Sequence, residues 1–141
     1  MKDCGYAIRK AYFDKITGAS YALGVYDTIA PDDVNPPFLI ISSQTSEEDS
    51  DKTSFNFNVT IQFDIIYTTS KAGEVGQKTV DTYANSLLTI IGVGMESYPN
   101  TAPDFNIVTR KMTKNDAIFD YVDESYVFRR VIIMEHFVNQ L

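Results

Sequence analysis

The chain of 141 residues is 44% hydrophobic and 13% aromatic, which is enough apolar material for one domain with a single packed core. Its formal net charge of -7 opposes general binding to nucleic-acid phosphates, and a single cysteine, Cys4, excludes an internal disulfide. Because its apolar runs are short, we expect neither a signal peptide nor a membrane span, and therefore one soluble domain over residues 1–141.

The first predicted element is a helix from Gly5 to Thr17. Apolar residues recur there at four-residue intervals, and a glycine follows that is expected to end the helix. These residues are Ile8, Tyr12, Ile16 and Gly18. A short mixed segment follows within Tyr21–Ile29, and the apolar run Phe38–Ile41 is typical of a strand buried on both faces.

The segment Ser42–Ser54 has no large apolar residue and is predicted to be an exposed acidic loop. Its acidic side chains are Glu47, Glu48, Asp49 and Asp51. A calcium site is disfavoured, because the segment lacks the glycine-centred loop and terminal glutamate of an EF-hand. Since the loop joins two apolar strands, we expect it to project from the end of the sheet and to dock on a basic surface of a partner.

A long strand is predicted from Phe55 to Tyr67, where large apolar and polar residues alternate. The expected core face consists of Phe55, Phe57, Val59, Ile61, Phe63 and Ile65. At ~3.3 Å per residue the strand is roughly 43 Å long, which exceeds what a compact core needs. This length makes assembly with other subunits the first functional hypothesis.

The second predicted helix reaches Ile91, with Val80, Ala84, Leu87 and Leu88 on its apolar face. It is expected to end at Gly92 and Gly94, after which the chain crosses over. Three segments complete the chain: a strand over Phe105–Met112, a polar excursion over Thr113–Glu124 and a long strand over Tyr126–Val138. We predict an α+β fold in which two helices pack on one mainly antiparallel sheet of about five strands, in the order helix-strand-strand-strand-helix-strand-strand.

Residue types that carry chemistry are scarce. His136 is the only histidine, and it alternates with Met134 and Val138 on one side of the last strand, where a structural role is more common than a catalytic one. No Ser/His/Asp or Cys/His arrangement links it to Cys4. We therefore predict no catalytic site, cofactor or metal site, and we do not expect an enzyme.

Five charged residues on the predicted strands are candidates for contacts between subunits or for the wall of a channel: Asp64, Arg110, Lys111, Arg129 and Arg130. Consecutive strand residues point to opposite faces, so at most one residue of each basic pair faces the core. The basic residues form either a narrow stripe that touches DNA or ion pairs with acids of the same chain or of an adjacent subunit. The net charge favours ion pairs, and Asp64 is placed to pair with a basic residue of a neighbouring strand.

The order of these features resembles that of the tail terminator, or tail completion, proteins of long-tailed bacteriophages. In that family an N-terminal amphipathic helix precedes a short strand, a proline-led apolar strand, a polar loop, a long strand, a second helix and a closing strand. The matching segments here are Val25–Asp27, Pro37–Ile41, Val59–Ile65, Val80–Ile91 and Tyr126–Ile133.

The resemblance implies a structural virion protein that forms a six-membered ring, assembled in the host cytoplasm. Such a ring caps the finished tail tube and joins it to a neck or head-completion protein, while DNA only passes through its channel and no membrane is involved. An acidic channel wall would let the genome slide rather than adhere. The alternatives are another phage neck or tail tube component and an unrelated binding module without enzymatic activity.

Overall fold

The structure is a computed structural model that describes residues 2–70, 76–92, 99, 101 and 103–141. Its elements are α1 (Gly5–Gly18), β1 (Val25–Asp27), β2 (Phe38–Glu48), β3 (Asn56–Thr69), α2 (Gly76–Ile91), β4 (Phe105–Val122) and β5 (Ser125–Gln140). The predicted α+β class and the predicted order of helices and strands are confirmed.

The five strands form one sheet in the order β1-β2-β3-β5-β4. β1 runs parallel to β2, and every other pair of neighbours is antiparallel. Helix α2 packs on β3 and β5, while α1 packs on β1, β2 and α2. Both helices therefore lie on one face of the sheet, called here the helix face, and the other face is called the open face.

The core lies between the helix face and the two helices, and β3 is its centre. The residues of β3 that point to the helices are buried from Phe57 to Ile65: Phe57, Val59, Ile61, Phe63 and Ile65. The helices contribute Ile8, Tyr12, Ile16, Val80, Ala84, Leu87 and Ile91, also buried. The predicted core is confirmed for these residues. The prediction that Phe55 belongs to the core face is wrong. Phe55 precedes the first β3–β5 pair, Asn56 with Asn139, and its side chain is 45% exposed.

The predicted loop over Ser42–Ser54 is wrong for its first half. β2 continues to Glu48, whose partner on β3 is Phe57, after a bulge between Ile41 and Gln44. The segment is polar because most of its side chains are exposed, while its backbone groups still pair with the long neighbouring strand. Only residues 49–55 form the connection between β2 and β3.

The polar excursion predicted over Thr113–Glu124 is also wrong. β4 runs without a loop to Val122, and its register with β5 ends at the pair Val122 with Ser125. Two bulges, between Ile107 and Thr109 and between Met112 and Lys114, shift this register. The segment is a strand because β5 supplies its hydrogen-bond partners, although its own residues are largely exposed.

Burial of β2 on both faces is not observed. Leu39 and Ile41 are buried under the helices, whereas Phe38 and Ile40 are only half-buried, because no described helix covers the open face. The predicted end of α2 at Gly92 is confirmed, with the Gly92 N–H donating to the Leu88 carbonyl at 2.7 Å. Gly94 and most of the crossover that follows lie outside the described residues.

Candidate assembly surfaces

The acidic connection between β2 and β3 is organised by Asp51. The Asp51 carboxylate accepts the backbone N–H groups of Thr53 at 2.7 Å and of Ser54 at 2.8 Å, and also both hydroxyl groups. These hydrogen bonds lower the pKa of the Asp51 carboxyl below its ordinary value. Asp51 therefore shapes the turn rather than presenting a fully available charge.

The other three acids of this segment lie on or beside the end of β2. Asp49 donates its N–H to the Asn56 carbonyl at 2.8 Å and accepts the side-chain amide of Asn58 at 3.3 Å. Glu47 and Glu48 are exposed and form no ion pair with any residue that the structure describes. These two carboxylates are the more available charges at this end of the sheet.

Asp64 forms an ion pair on the open face, as its position on β3 predicted. Its carboxylate is 3.1 Å from Arg129 Nη2 and accepts the Gln62 side-chain amide at 3.2 Å. Asp64 is buried, at 5% exposure, while half-buried Arg129 belongs to the neighbouring strand β5. The pair balances a carboxylate that would be costly to bury alone.

The two basic pairs divide between the faces as the strand alternation predicted. Arg130 lies on the helix face, where Nη1 is 2.5 Å from Asp81 of α2 and Nε donates to Asn115 at 2.6 Å. Lys111 lies on the open face, 3.9 Å from Glu135. The predicted intrachain ion pairs are thus present for Arg129, Arg130 and Lys111.

Arg110 belongs to a chain of hydrogen bonds on the helix face. Arg110 Nη1 donates to the Tyr12 hydroxyl at 3.5 Å, and that hydroxyl lies 2.5 Å from His136 Nε2. His136 Nδ1 donates to the Val59 carbonyl at 3.0 Å, so the neutral ring accepts the Tyr12 proton at Nε2. Burial, together with the nearby Arg110, lowers the pKa of His136 to about 4. His136 is a buried structural residue.

The β4–β5 hairpin carries an exposed aromatic surface that the sequence analysis missed. We call the segment Ala117–Phe128 the aromatic arm. Its helix-face side chains are Phe119, Tyr121, Tyr126 and Phe128, and their ring centroids lie 4.9 to 6.2 Å apart. Phe119 is 58% exposed and Tyr121 is 55% exposed. The run from Ala117 to Val122, apolar except for Asp120, was a signal for this strand, but only the register with β5 places the four rings together.

A pocket of about 230 Å³ lies beside α1. It is lined by Tyr6, Arg9, Lys10, Phe13, Asp27 and Ile41. Tyr6 is 69% exposed and Phe13 is 37% exposed, so aromatic side chains and two basic groups share one surface of the helix. Arg9 lies 3.9 Å from Asp27, and Lys10 pairs with Asp14 at 2.6 Å.

The described residues contain neither a metal-binding cluster nor a helix that could span a membrane. No three His, Cys, Asp or Glu side chains come together there as a metal site. Neither α1 nor α2, the helices of the described chain, has the length and apolar character that crossing a bilayer requires.

Comparison with known proteins finds a similar fold but no similar sequence. No protein-family model matches the chain, and no curated protein matches it in sequence. A similar solved structure is a chain of the "virion of native gene transfer agent (GTA) particle", with a TM-score of 0.67 and 14% identity. The match covers 96% of this chain and 98% of that chain, so the two share their fold over nearly the whole length.

Proposed function

We propose that this chain is a structural virion protein of the tail terminator type. It would form a ring, with six subunits as the expected number, that caps the tail tube and joins it to the neck or head. The observation that carries the proposal is the likeness in fold, over nearly the whole of both chains, to a component of a gene transfer agent virion. The order of elements and the Pro37–Ile41 strand agree with the tail terminator resemblance.

The presence of two separate hairpin turns at opposite ends of the sheet supports a role in joining two different structures. The connection between β2 and β3 lies at the same end as the C-terminus of β5, and the turn between β4 and β5 lies at the opposite end. We propose that the acidic end, with Glu47, Glu48, Asp49 and Asp51, docks on a basic surface of the tail tube or of the neighbouring subunit. In this arrangement Glu47 and Glu48 carry the contact, and Asp51 holds the turn.

The charged residues proposed for the channel wall are compatible with DNA that passes through without binding. Arg129, Arg130 and Lys111 each have a carboxylate partner within the chain, at distances of 3.1, 2.5 and 3.9 Å. Such partners reduce the positive potential that would hold phosphates, and the net charge of -7 acts in the same direction. The proposal therefore assigns these residues to contacts between strands and subunits, and not to DNA binding.

Electron microscopy of the purified chain tests the proposal. A tail terminator is expected to stop at a closed ring, because its heterologous contacts close by rotation. Rings that bind one end of purified tail tubes would support the function. Open filaments would instead indicate a tube subunit, and a monomer at every concentration, without binding to tails, would indicate a binding module.

A further inference from the structure

The aromatic arm continues the helix face of the sheet beyond the part that α2 covers. Phe128 marks the boundary, because its ring would lie only 2.3 Å from a Cβ atom added at Gly76, the first residue of α2. Beyond this point Phe119 and Tyr121 expose more than half of their surface. Exposed aromatic clusters of this kind mark surfaces that another molecule covers.

The arm is also acidic. From Ala117 to Phe128 the chain has three acidic residues and no basic one: Asp120, Asp123 and Glu124. Asp123 and Glu124 form the two-residue turn at the tip. A partner that fits this arm therefore combines an apolar surface with basic groups.

The pocket beside α1 has that combination. Tyr6, Phe13 and Ile41 supply apolar surface, and Arg9 and Lys10 supply basic groups that now pair with Asp27 at 3.9 Å and with Asp14 at 2.6 Å. Helix α1 has three basic residues and one acidic residue, which is a local excess of positive charge in a chain of net charge -7. The apolar surface is complementary to that of the arm, and the basic groups can pair with acids of the arm by exchanging their present carboxylate partners.

The arm and the pocket lie at opposite edges of the sheet. The pocket includes Asp27 of β1 and Ile41 of β2, whereas the arm belongs to β4 and β5 at the other edge of the order β1-β2-β3-β5-β4. One chain cannot bring its own two surfaces together across the width of the sheet. A contact between them must join two copies, and it is heterologous, as a ring requires.

We propose that the aromatic arm of one copy docks in the pocket beside α1 of the next copy. Phe119 and Tyr121 would pack against Tyr6 and Phe13, while the acids of the arm face Arg9 and Lys10. This inference rests on the proposed function, because it names the contact that would close the ring.

Two interface variants and one control test the proposal. The arm variant combines Phe119→Ser with Tyr121→Ser, and the pocket variant combines Tyr6→Ser with Lys10→Glu. Phe55→Ser is the matched control, because Phe55 is also an exposed aromatic residue but lies at the opposite end of the sheet. Mass photometry over a concentration series measures assembly, and circular dichroism checks the fold. If the arm variant does not fold, Glu124→Lys replaces it. This change reverses a charge at the tip, and lysine has to adopt the same positive φ angle that glutamate adopts there.

We expect the wild type and the control to form the same ring. Each interface variant should raise the dissociation constant of assembly at least about tenfold, as the loss of a central aromatic contact does in other interfaces. An equimolar mixture of the two interface variants should form dimers and nothing larger, because only one intact arm and one intact pocket meet in each pair.

The opposite results separate this inference from the proposed function. If the wild type and the arm variant form rings equally well, arm docking is overturned while the ring function stands. If the arm variant forms rings but no longer binds tail tubes, the arm contacts another protein and the inference is again overturned. A wild type that stays monomeric, with no dimer in the mixture of variants, overturns both.

Discussion

The hairpins at opposite ends of the sheet both have acidic tips, but they are built differently. The turn between β2 and β3 is held by a side chain, with Asp51 accepting hydrogen bonds from Thr53 and Ser54. The turn between β4 and β5 is held by the backbone, since Asp123 and Glu124 have positive φ angles of 50° and 62°. Two-residue turns with positive φ at both positions match the twist of paired strands.

The surfaces beside these two turns differ more than the turns themselves. Apart from Phe55 and Leu141, the β2–β3 end presents polar and charged groups, whereas the β4–β5 end presents the neighbouring rings of Phe119 and Tyr121. Charge alone does not separate the two ends, because both are acidic. The difference teaches that a cluster of apolar side chains, and not charge, distinguishes the end that we propose to dock in the next copy.

The largest effect is expected in β3, the core strand that belongs to the β2–β3 hairpin and pairs with β5 of the other hairpin. Phe63 is fully buried and makes an edge contact with Tyr12 at a centroid distance of 5.2 Å. Phe63→Ala should lower the free energy of unfolding by ~3 to 5 kcal/mol, because it removes a large side chain and leaves a cavity. Denaturant unfolding measures this, with Gln62→Ala on the open face as the control, where a loss below ~1.5 kcal/mol is expected. Equal losses for the two variants would contradict the assigned core.

The second effect is a pH dependence of stability that arises from His136 in β5. The pKa of His136 is about 4 in the folded chain, against an ordinary value of 6.5. The unfolded chain therefore binds the proton first, and stability is complete above pH 6.5 and falls as the pH is lowered towards 4. The loss over this window should be ~3 kcal/mol at most. His136→Gln should remove this part of the pH dependence, and identical pH profiles for the two proteins would show that His136 does not carry it.

A smaller effect is expected where the arm leaves the helices. Gly76→Ala would place a methyl group against the Phe128 ring, so the ring or the start of α2 must move. We expect a loss of ~1 to 3 kcal/mol from this overpacking. Gly18→Ala is the matched control, because no atom outside the neighbouring residues and backbone of its own helix lies within 4 Å of a Cβ atom added there. Thermal unfolding of both variants should show the loss only for Gly76→Ala.

The smallest effect is expected at the acidic turn. Asp51→Ala removes the acceptor for the Thr53 and Ser54 N–H groups, and the change is confined to an exposed connection. Amide hydrogen exchange should become faster at Thr53 and Ser54, while exchange in the core strands stays unchanged. Faster exchange throughout β3 would show that the Asp51 turn stabilises the sheet as a whole. It would contradict the view that the Asp51 hydrogen bonds act only on the turn.

The sequence predicts those strands and helices whose own apolar side chains repeat with the period of the element. The alternation in β3 and the helical spacing from Val80 to Ile91 follow from burial on one face, and the structure confirms both. The distal part of β4 is different, because β5 supplies its backbone partners and most of its side chains are exposed. The polar residues from Thr113 to Asp116 therefore gave no period from which to predict that the strand continues.

The candidate surfaces were predicted less well for the same reason. The pairing of Asp64 with a neighbouring strand could be predicted, because alternation fixes which face a strand residue occupies. The aromatic arm could not, since its rings come from two strands and meet only in the observed register, with Phe119 opposite Phe128 and Tyr121 opposite Tyr126. The pocket beside α1 likewise combines a helix with β1 and β2, which are distant in sequence.

The two bulges in β4 bear on how the protein avoids uncontrolled association. β4 is the long strand at one edge of the sheet, and the unpaired N–H and C=O groups of such an edge can pair with a strand of another chain. The bulges after Ile107 and after Met112 interrupt this row of groups and change the local twist. A foreign strand can therefore not pair along the whole edge, which protects the folded chain from fibre-like aggregation.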